Sequence, residues 1–157
     1  MNRWITRTPG ETEECGKAFG ATLRPGDVVA LIGDLGSGKT QFVAGVCAAL
    51  GARGHVTSPT FTLIHEYPAG EVTVVHADMY RIASLREAAE LGLLEYFQPP
   101  YIALVEWADR VLDLLPPERY LVELYHRKDP LEREISIVPA PGMERTIDFA
   151  SPPGMNA

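Results

Sequence analysis

Gly33-Asp34-Leu35-Gly36-Ser37-Gly38-Lys39-Thr40 follows the pattern of a phosphate-binding loop: a glycine, four residues, then Gly-Lys-Thr. Each residue type in it answers a polyphosphate. Glycines lack Cβ atoms, so Gly33, Gly36 and Gly38, with Ser37 among them, let successive backbone N–H groups turn inward into a nest for anionic oxygens. The helix that follows adds the positive end of its dipole, about half an elementary charge, at the same point. Lys39 supplies a point charge for the β and γ phosphates, and the Thr40 hydroxyl is a ligand for Mg2+. A glycine-rich turn that binds nothing is the plain alternative. Ordinary residue usage produces the full pattern by chance in roughly one chain of this length in two hundred. Its place between an apolar run and a helical pattern is also the context the motif requires, so the loop reads as a site for a nucleoside triphosphate with magnesium.

In an open α/β sheet the ligand lies beyond the carboxyl ends of the strands, which directs attention to acids that end apolar runs. Glu106 follows "YIALV", the arrangement that places a carboxylate on Mg2+ opposite the loop, directly or through water. Asp78 follows "VTVVHA". A metal at the β and γ oxygens needs oxygen ligands and a residue to orient water, so with Thr40 these two acids form a hydrolytic set, with Thr40 and Glu106 the metal candidates and Lys39, Asp78 and Glu106 the candidate catalytic groups. Either acid alone is otherwise a solvated strand end or a helix cap. "VTSPTFTL" carries hydroxyls on Thr57, Ser58 and Thr60 around a proline, and the γ phosphate with its metal can order such a segment, which adds Thr60 to the nucleotide-binding residues. A plain loop entering a strand has the same composition. His76 and Asp78 are two apart on a strand and share a face, but no third His or Cys lies nearby to complete a zinc site, and His65 reads as structural. Trp107 directly follows Glu106 and is either a packing residue or a contact surface beside the metal.

The elements that must position these groups are legible in outline. Thr8-Pro9-Gly10-Glu11 is a helix start, predicting a helix over 9–23 that Gly16 and Gly20 weaken by about 1 kcal/mol each relative to Ala. "VVALI" (28–32) is a strand buried on both faces, and residues 39–50 repeat apolar groups at helical spacing until Gly51. "TFTLIHEY" (60–67) and "VTVVHAD" (72–78), joined by "PAGE", form a hairpin. Ser84 with Glu87 opens a helix running to about Phe97, and Pro99-Pro100 end it. "YIALVEW" is a second buried strand, followed by a short helix over about 107–115. "YLVELY", "REISIV" and "TIDF" form a closing β meander. The expected fold is a single P-loop NTPase-like α/β domain over residues 1–150, its mixed sheet parallel around the glycine loop, antiparallel elsewhere and flanked by helices. Residues 151–157 form a disordered tail.

The 157 residues suit one domain that buries about 70% of the surface of its unfolded chain. Twenty-one Asp and Glu against fourteen Lys and Arg give a net charge of -7, which argues against a whole-surface grip on nucleic acid and leaves any tRNA or other nucleic acid to a partner. No apolar run approaches the ~20 residues that span a bilayer, so no membrane association is expected. Cys47 sits at helical spacing with Val43, Val46 and Leu50, Cys15 has no partner motif, and a reducing cytoplasm is the simplest home.

Taken in order and spacing, "GDLGSGKT", "SPTFTL", "HADMYR" and "LVEW" together resemble the bacterial TsaE family of P-loop ATPases, over about Thr12 to Trp107. The resemblance implies the ATPase component of the system that makes threonylcarbamoyladenosine beside the anticodon of tRNAs reading codons that begin with A. It implies partners similar to TsaD and TsaB, which transfer the threonylcarbamoyl group, with ATP hydrolysis supporting repeated rounds. It assigns Gly36 to Thr40 and Gln41 to ATP, Thr40 and Glu106 to Mg2+, and importance for activity to Asp78 and Trp107. Two departures stand out. The family commonly has a second threonine where Gln41 stands, which changes how the α phosphate is held, and the hairpin tip "YPAGE" is short. Slow hydrolysis alone and stimulation by partners are expected, because no arginine is evidently placed to stabilise phosphoryl transfer, Arg81 and Arg110 being the candidates. The rival readings are a small-molecule kinase with Asp78 as base and a nucleotide-dependent binding switch without catalysis. A kinase needs a lid, and the acidic helix carrying Glu87, Glu90 and Glu95 is a poor one for phosphates.

Overall fold

Val28–Gly33, the apolar run before the glycine loop, is strand β2 and lies near the middle of the sheet, where both of its faces are covered. Its side chains alternate sides, as the two-residue period of a strand requires. Val29 and Leu31 join one core cluster with Phe19, Phe42 and Val46, while Val28 and Ala30 join a second with Met79, Leu93 and Val105. The computed structural model describes residues 2–34, 36–52 and 63–147.

The strands are β1 (Asn2–Thr6), β2, β3 (Ile64–Ala69), β4 (Val72–Asp78), β5 (Tyr101–Glu106), β6 (Tyr120–His126) and β7 (Arg133–Pro139). Among the described residues they form one sheet in the order β1-β7-β6-β2-β5-β4-β3. β4, β5, β2 and β6 run parallel, and β3, β7 and β1 add antiparallel pairs at the two sides. This is the expected mixed α/β sheet, parallel around the loop. Helices α1 (Pro9–Gly20) and α2 (Lys39–Leu50) cover one face through Phe19, Phe42 and Val46, and α3 (Leu85–Glu90) with the turns beyond it covers the other through Ala88 and Leu93. No helix of the described residues is long and apolar enough to cross a membrane.

Several local expectations are corrected. α1 stops at Gly20 instead of residue 23, and its glycines have a packing role. A Cβ on Gly16 would stand 2.1 Å from the Phe42 carbonyl oxygen, and one on Gly45 would stand 1.9 Å from that of Glu13, so the two helices meet backbone to backbone. The hairpin turn is only Gly70-Glu71, because β3 continues through Pro68 and pairs Ala69 with Val72. The helix expected to reach Phe97 is interrupted at Gly92, whose φ is +82°, and resumes as a 3-10 turn over Leu93–Tyr96. Residues 107–115 form two 3-10 turns, Ala108–Arg110 and Leu112–Leu114, instead of one helix. Thr146 and Ile147 are not in a strand, and the rest of "TIDF" and the 151–157 tail lie outside the described residues. The meander is closed instead by β1, which pairs antiparallel with β7.

Candidate functional site

The glycine loop leaves β2 at Gly33 and enters α2 at Lys39, with Gly36 at φ +75° and Gly38 at φ +101°, left-handed angles that side chains rarely tolerate. Ser37 is buried, and its hydroxyl has no hydrogen-bond partner among the described residues. Gly38 is the residue before α2, so the first turn of that helix opens toward the loop with its N–H groups unspent. Leu35 lies outside the described residues. The loop forms one wall of a cavity of about 760 Å³, which Gly36, Gly38, Lys39, Thr40, Gln41, Asp78, Glu106 and Trp107 all line. Thr57, Ser58 and Thr60 lie outside the described residues.

Lys39 is buried, and its ammonium donates to the carbonyl of Gly33 at the start of its own loop. The nitrogen lies 4.1 Å from the centroid of the Trp107 ring. Burial pushes the Lys39 ammonium below the ordinary lysine value, against the upward pull of Glu106, Asp78, Asp34 and Asp109. Trp107 holds a left-handed backbone, φ 55°, uncommon for a residue with a side chain. That turn directs its ring over Lys39 and beside Tyr80, with ring centroids 4.8 Å apart. Arg110 stacks on Tyr80 and Trp107 and is not among the cavity-lining residues.

The two acids are brought together by strand register. β4 and β5 are parallel neighbours, and Asp78 pairs directly with Glu106 at their carboxyl ends. Asp78 accepts the Tyr80 N–H at 2.9 Å. Burial raises its carboxyl above the ordinary value, with the Tyr80 N–H pulling the other way. Glu106 is buried, and its Oε2 bonds the ring Nε2 of His76, which is fully buried. His76 thus faces Glu106, a pairing that reading it beside Asp78 on one strand missed. The signal available in the sequence was two apolar runs of similar length, each ending in an acid, which places the residue two before one acid diagonal to the other when the runs are parallel neighbours.

Of the two candidate arginines Arg81 lines the cavity and Arg110 does not, and Arg7 and Arg133, which the sequence did not single out, line it as well. Arg7 and Arg133 come from opposite ends of the chain and meet because β1 pairs with β7, Thr6 opposite Arg133. Arg133 donates to the Gly36 carbonyl at 3.3 Å and the Pro130 carbonyl at 2.7 Å, while Arg7 pairs with Glu132 at 3.2 Å. The Thr6 and Thr12 hydroxyls, 2.7 Å apart, tie β1 to α1 at the same place.

The chemistry of the donor set suits a hard cation and a polyphosphate. A threonine hydroxyl and two carboxylates offer oxygen only, as Mg2+ prefers, and the lysine and arginines surround the space an anion would fill. Among the described residues no group of three or more His, Cys, Asp or Glu side chains could hold a metal ion.

Residues 6–135 match the family model described as "Threonylcarbamoyl adenosine biosynthesis protein TsaE". The tRNA threonylcarbamoyladenosine biosynthesis protein TsaE of Bacillus subtilis is 43% identical over 134 residues, 85% of this chain and 83% of the relative. The protein of that name from Treponema pallidum is 37% identical over 135 residues, 86% of this chain and 98% of the relative. The crystal structure of Bacillus subtilis YdiB superposes with a TM-score of 0.74 at 39% identity, covering 88% of this chain and 85% of that one.

Proposed function

The chain belongs to the TsaE family of threonylcarbamoyl adenosine biosynthesis proteins, and from that premise we propose that it is the Mg2+-dependent ATP-binding and hydrolysing subunit of the machinery that makes N6-threonylcarbamoyladenosine in tRNA. The observation that carries the reading is the convergence of Lys39, Thr40, Asp78 and Glu106 on one cavity beneath the glycine loop. In this reading the phosphates fill the nest of Gly33, Gly36, Ser37 and Gly38, and Gln41 borders the α phosphate. Lys39 exchanges the Gly33 carbonyl for phosphate oxygens, an exchange favoured because an anion is a stronger acceptor than a neutral carbonyl. Thr40 and Glu106 hold Mg2+, which supplies charge neutralisation at the β and γ oxygens. Asp78, beside Glu106, orients the attacking water. Thr60 joins the same nucleotide site in this reading, as one of the hydroxyls of a segment that the γ phosphate and its metal can order.

The acid excess of the chain favours docking on protein over direct tRNA binding, so partners similar to TsaD and TsaB hold the tRNA, and the work is cytoplasmic. Turnover is slow alone and stimulated by those partners. Arg7 is engaged by Glu132 and Arg133 by backbone carbonyls, so freeing either toward the phosphates is a route by which a partner would accelerate hydrolysis.

The test is phosphate release from ATP and Mg2+ by the purified protein, alone and with TsaD-like and TsaB-like proteins plus tRNA, with Glu106→Ala as control. The expected result is release that the partners raise and the substitution abolishes. Release indifferent to both, or none under any condition, overturns the ATPase reading.

A further inference from the structure

Glu106 is a carboxylate with little solvent, and among the described residues its side-chain hydrogen-bond partner is a histidine, His76. His76 sits on β4 with its ring fully buried, Nε2 on Oε2 of Glu106. Its Nδ1 is buried and meets no hydrogen-bond partner among the described residues. A carboxylate only accepts, so the contact requires a proton on Nε2. The lone pair is then left at Nδ1, and a buried N–H without an acceptor is avoided. The ring is thus held as one tautomer by the carboxylate it serves. An apolar residue of similar volume would fill the space equally well and leave Oε2 buried without a donor, which is costly for a charged oxygen.

We propose that His76 is a positioning residue for the metal site: by holding Oε2 of Glu106 it fixes the carboxylate rotamer and presents Oε1 to Mg2+ in the cavity. The inference rests on Glu106 being a magnesium ligand, as read above. It adds the group that sets which oxygen, and in which direction, the ligand offers. Losing a partner that orients a metal ligand in this way typically costs about 10–100-fold in metal affinity. The placement follows from register: Asp78 pairs with Glu106 on parallel β4 and β5, so His76, two residues earlier on the same face, is diagonal to Glu106 and beneath it in the core. The same geometry keeps His76 away from the substrate. It is not among the residues lining the cavity, and its effect passes through Glu106.

Two amide substitutions separate positioning from filling. In His76→Gln the side-chain amide nitrogen reaches about where Nε2 lies, whereas in His76→Asn it stops near the place of Nδ1 and cannot reach Oε2. The probe is Mn2+ titrated into the protein with saturating ADP, free Mn2+ being read by electron paramagnetic resonance, and ADP affinity in EDTA is measured beside it. Wild type binds Mn2+ with ADP, His76→Asn weakens Mn2+ by about 10–100-fold while keeping ADP affinity in EDTA, and His76→Gln restores most of the loss. A folded His76→Asn protein that binds Mn2+ like wild type overturns the inference. The wild-type chain supplies an independent check, since nitrogen-15 NMR of the His76 ring must show the proton on Nε2, and a ring protonated at Nδ1 alone also overturns it. Wild-type protein that binds ADP but no Mn2+ overturns the magnesium reading of Glu106 itself, a result distinguishable from failure of the His76 role.

Discussion

Replacing Gly45 by alanine tests whether the crossing of α1 and α2 shapes the cavity beneath the glycine loop. The new Cβ would stand 1.9 Å from the Glu13 carbonyl oxygen and 2.8 Å from the Lys17 nitrogen, both backbone atoms of a facing helix, with no flexible side chain able to give way. Restoring ordinary contact requires the helices to part by about 1.5 Å, enough to forfeit much of the dispersion energy across the seam. That seam includes the stacked rings of Phe19 and Phe42, with centroids 5.8 Å apart. Overpacking of a well-filled core costs about 1–3 kcal/mol, and a backbone-to-backbone clash belongs at the upper end. Alanine recovers about 1 kcal/mol of helix propensity over glycine, so the net loss is about 2 kcal/mol. For a chain of this size that lowers Tm by about 4–8 °C. The same displacement moves Thr8, Pro9 and Thr12 at the start of α1 away from Lys39 and Thr40 at the start of α2, across the cavity they share. ADP affinity therefore falls about tenfold, the equivalent of one lost hydrogen bond to a charged group. Urea denaturation followed by far-UV circular dichroism measures the first effect and calorimetric ADP titration the second. Gly10→Ala is the control, since a Cβ there meets nothing nearer than the Thr8 hydroxyl at 3.7 Å and should be neutral or mildly stabilising. A Gly45→Ala protein as stable as wild type would refute the close-crossing argument.

Trp107 is one of two tryptophans, so in a Trp4→Phe background its emission reports on Lys39 directly. Withdrawal of the ammonium onto phosphate should change that emission on adding ADP and Mg2+, and a constant signal during binding measured independently contradicts the proposed exchange. Burial pushes the Cys15 and Cys47 thiols up from 9.0 to about 12. With folded values above unfolded ones, their contribution to stability is complete below pH 9.0 and is lost as pH rises toward about 12, because the unfolded chain sheds protons that the folded chain retains. Each thiol steepens the fall by about 1.4 kcal/mol per pH unit. Urea midpoints across that range should decline less steeply in Cys47→Ala than in wild type, and equal slopes would contradict the burial argument.

The glycine loop was legible because its chemistry is local. Gly33 to Thr40 are contiguous, and the left-handed angles at Gly36 and Gly38, the strand before and the helix after are consequences of neighbouring residues. Asp78 and Glu106 were legible for a related reason, each being the first charged group after an apolar run, although their adjacency depends on β4 lying beside β5. Short-range rules also placed the caps at Thr8 and Ser84, where Glu11 and Glu87 N–H groups find the hydroxyls. They misjudged the helix to Phe97, because Gly92 takes a left-handed turn that lets Leu93 enter the core.

The sequence by itself determined the glycine loop, the two acids that end apolar runs and the strand–loop–helix unit around the loop, since those depend on residue type and spacing within a few turns of chain. Only the tertiary structure decided that His76 faces Glu106, that Arg7 and Arg133 reach the cavity, and that Gly16 and Gly45 let two helices meet backbone to backbone. Each of those facts belongs to a pair of segments distant in sequence. What a residue meets across such a pair is set by strand order, register and helix crossing, and these follow from how the whole core packs.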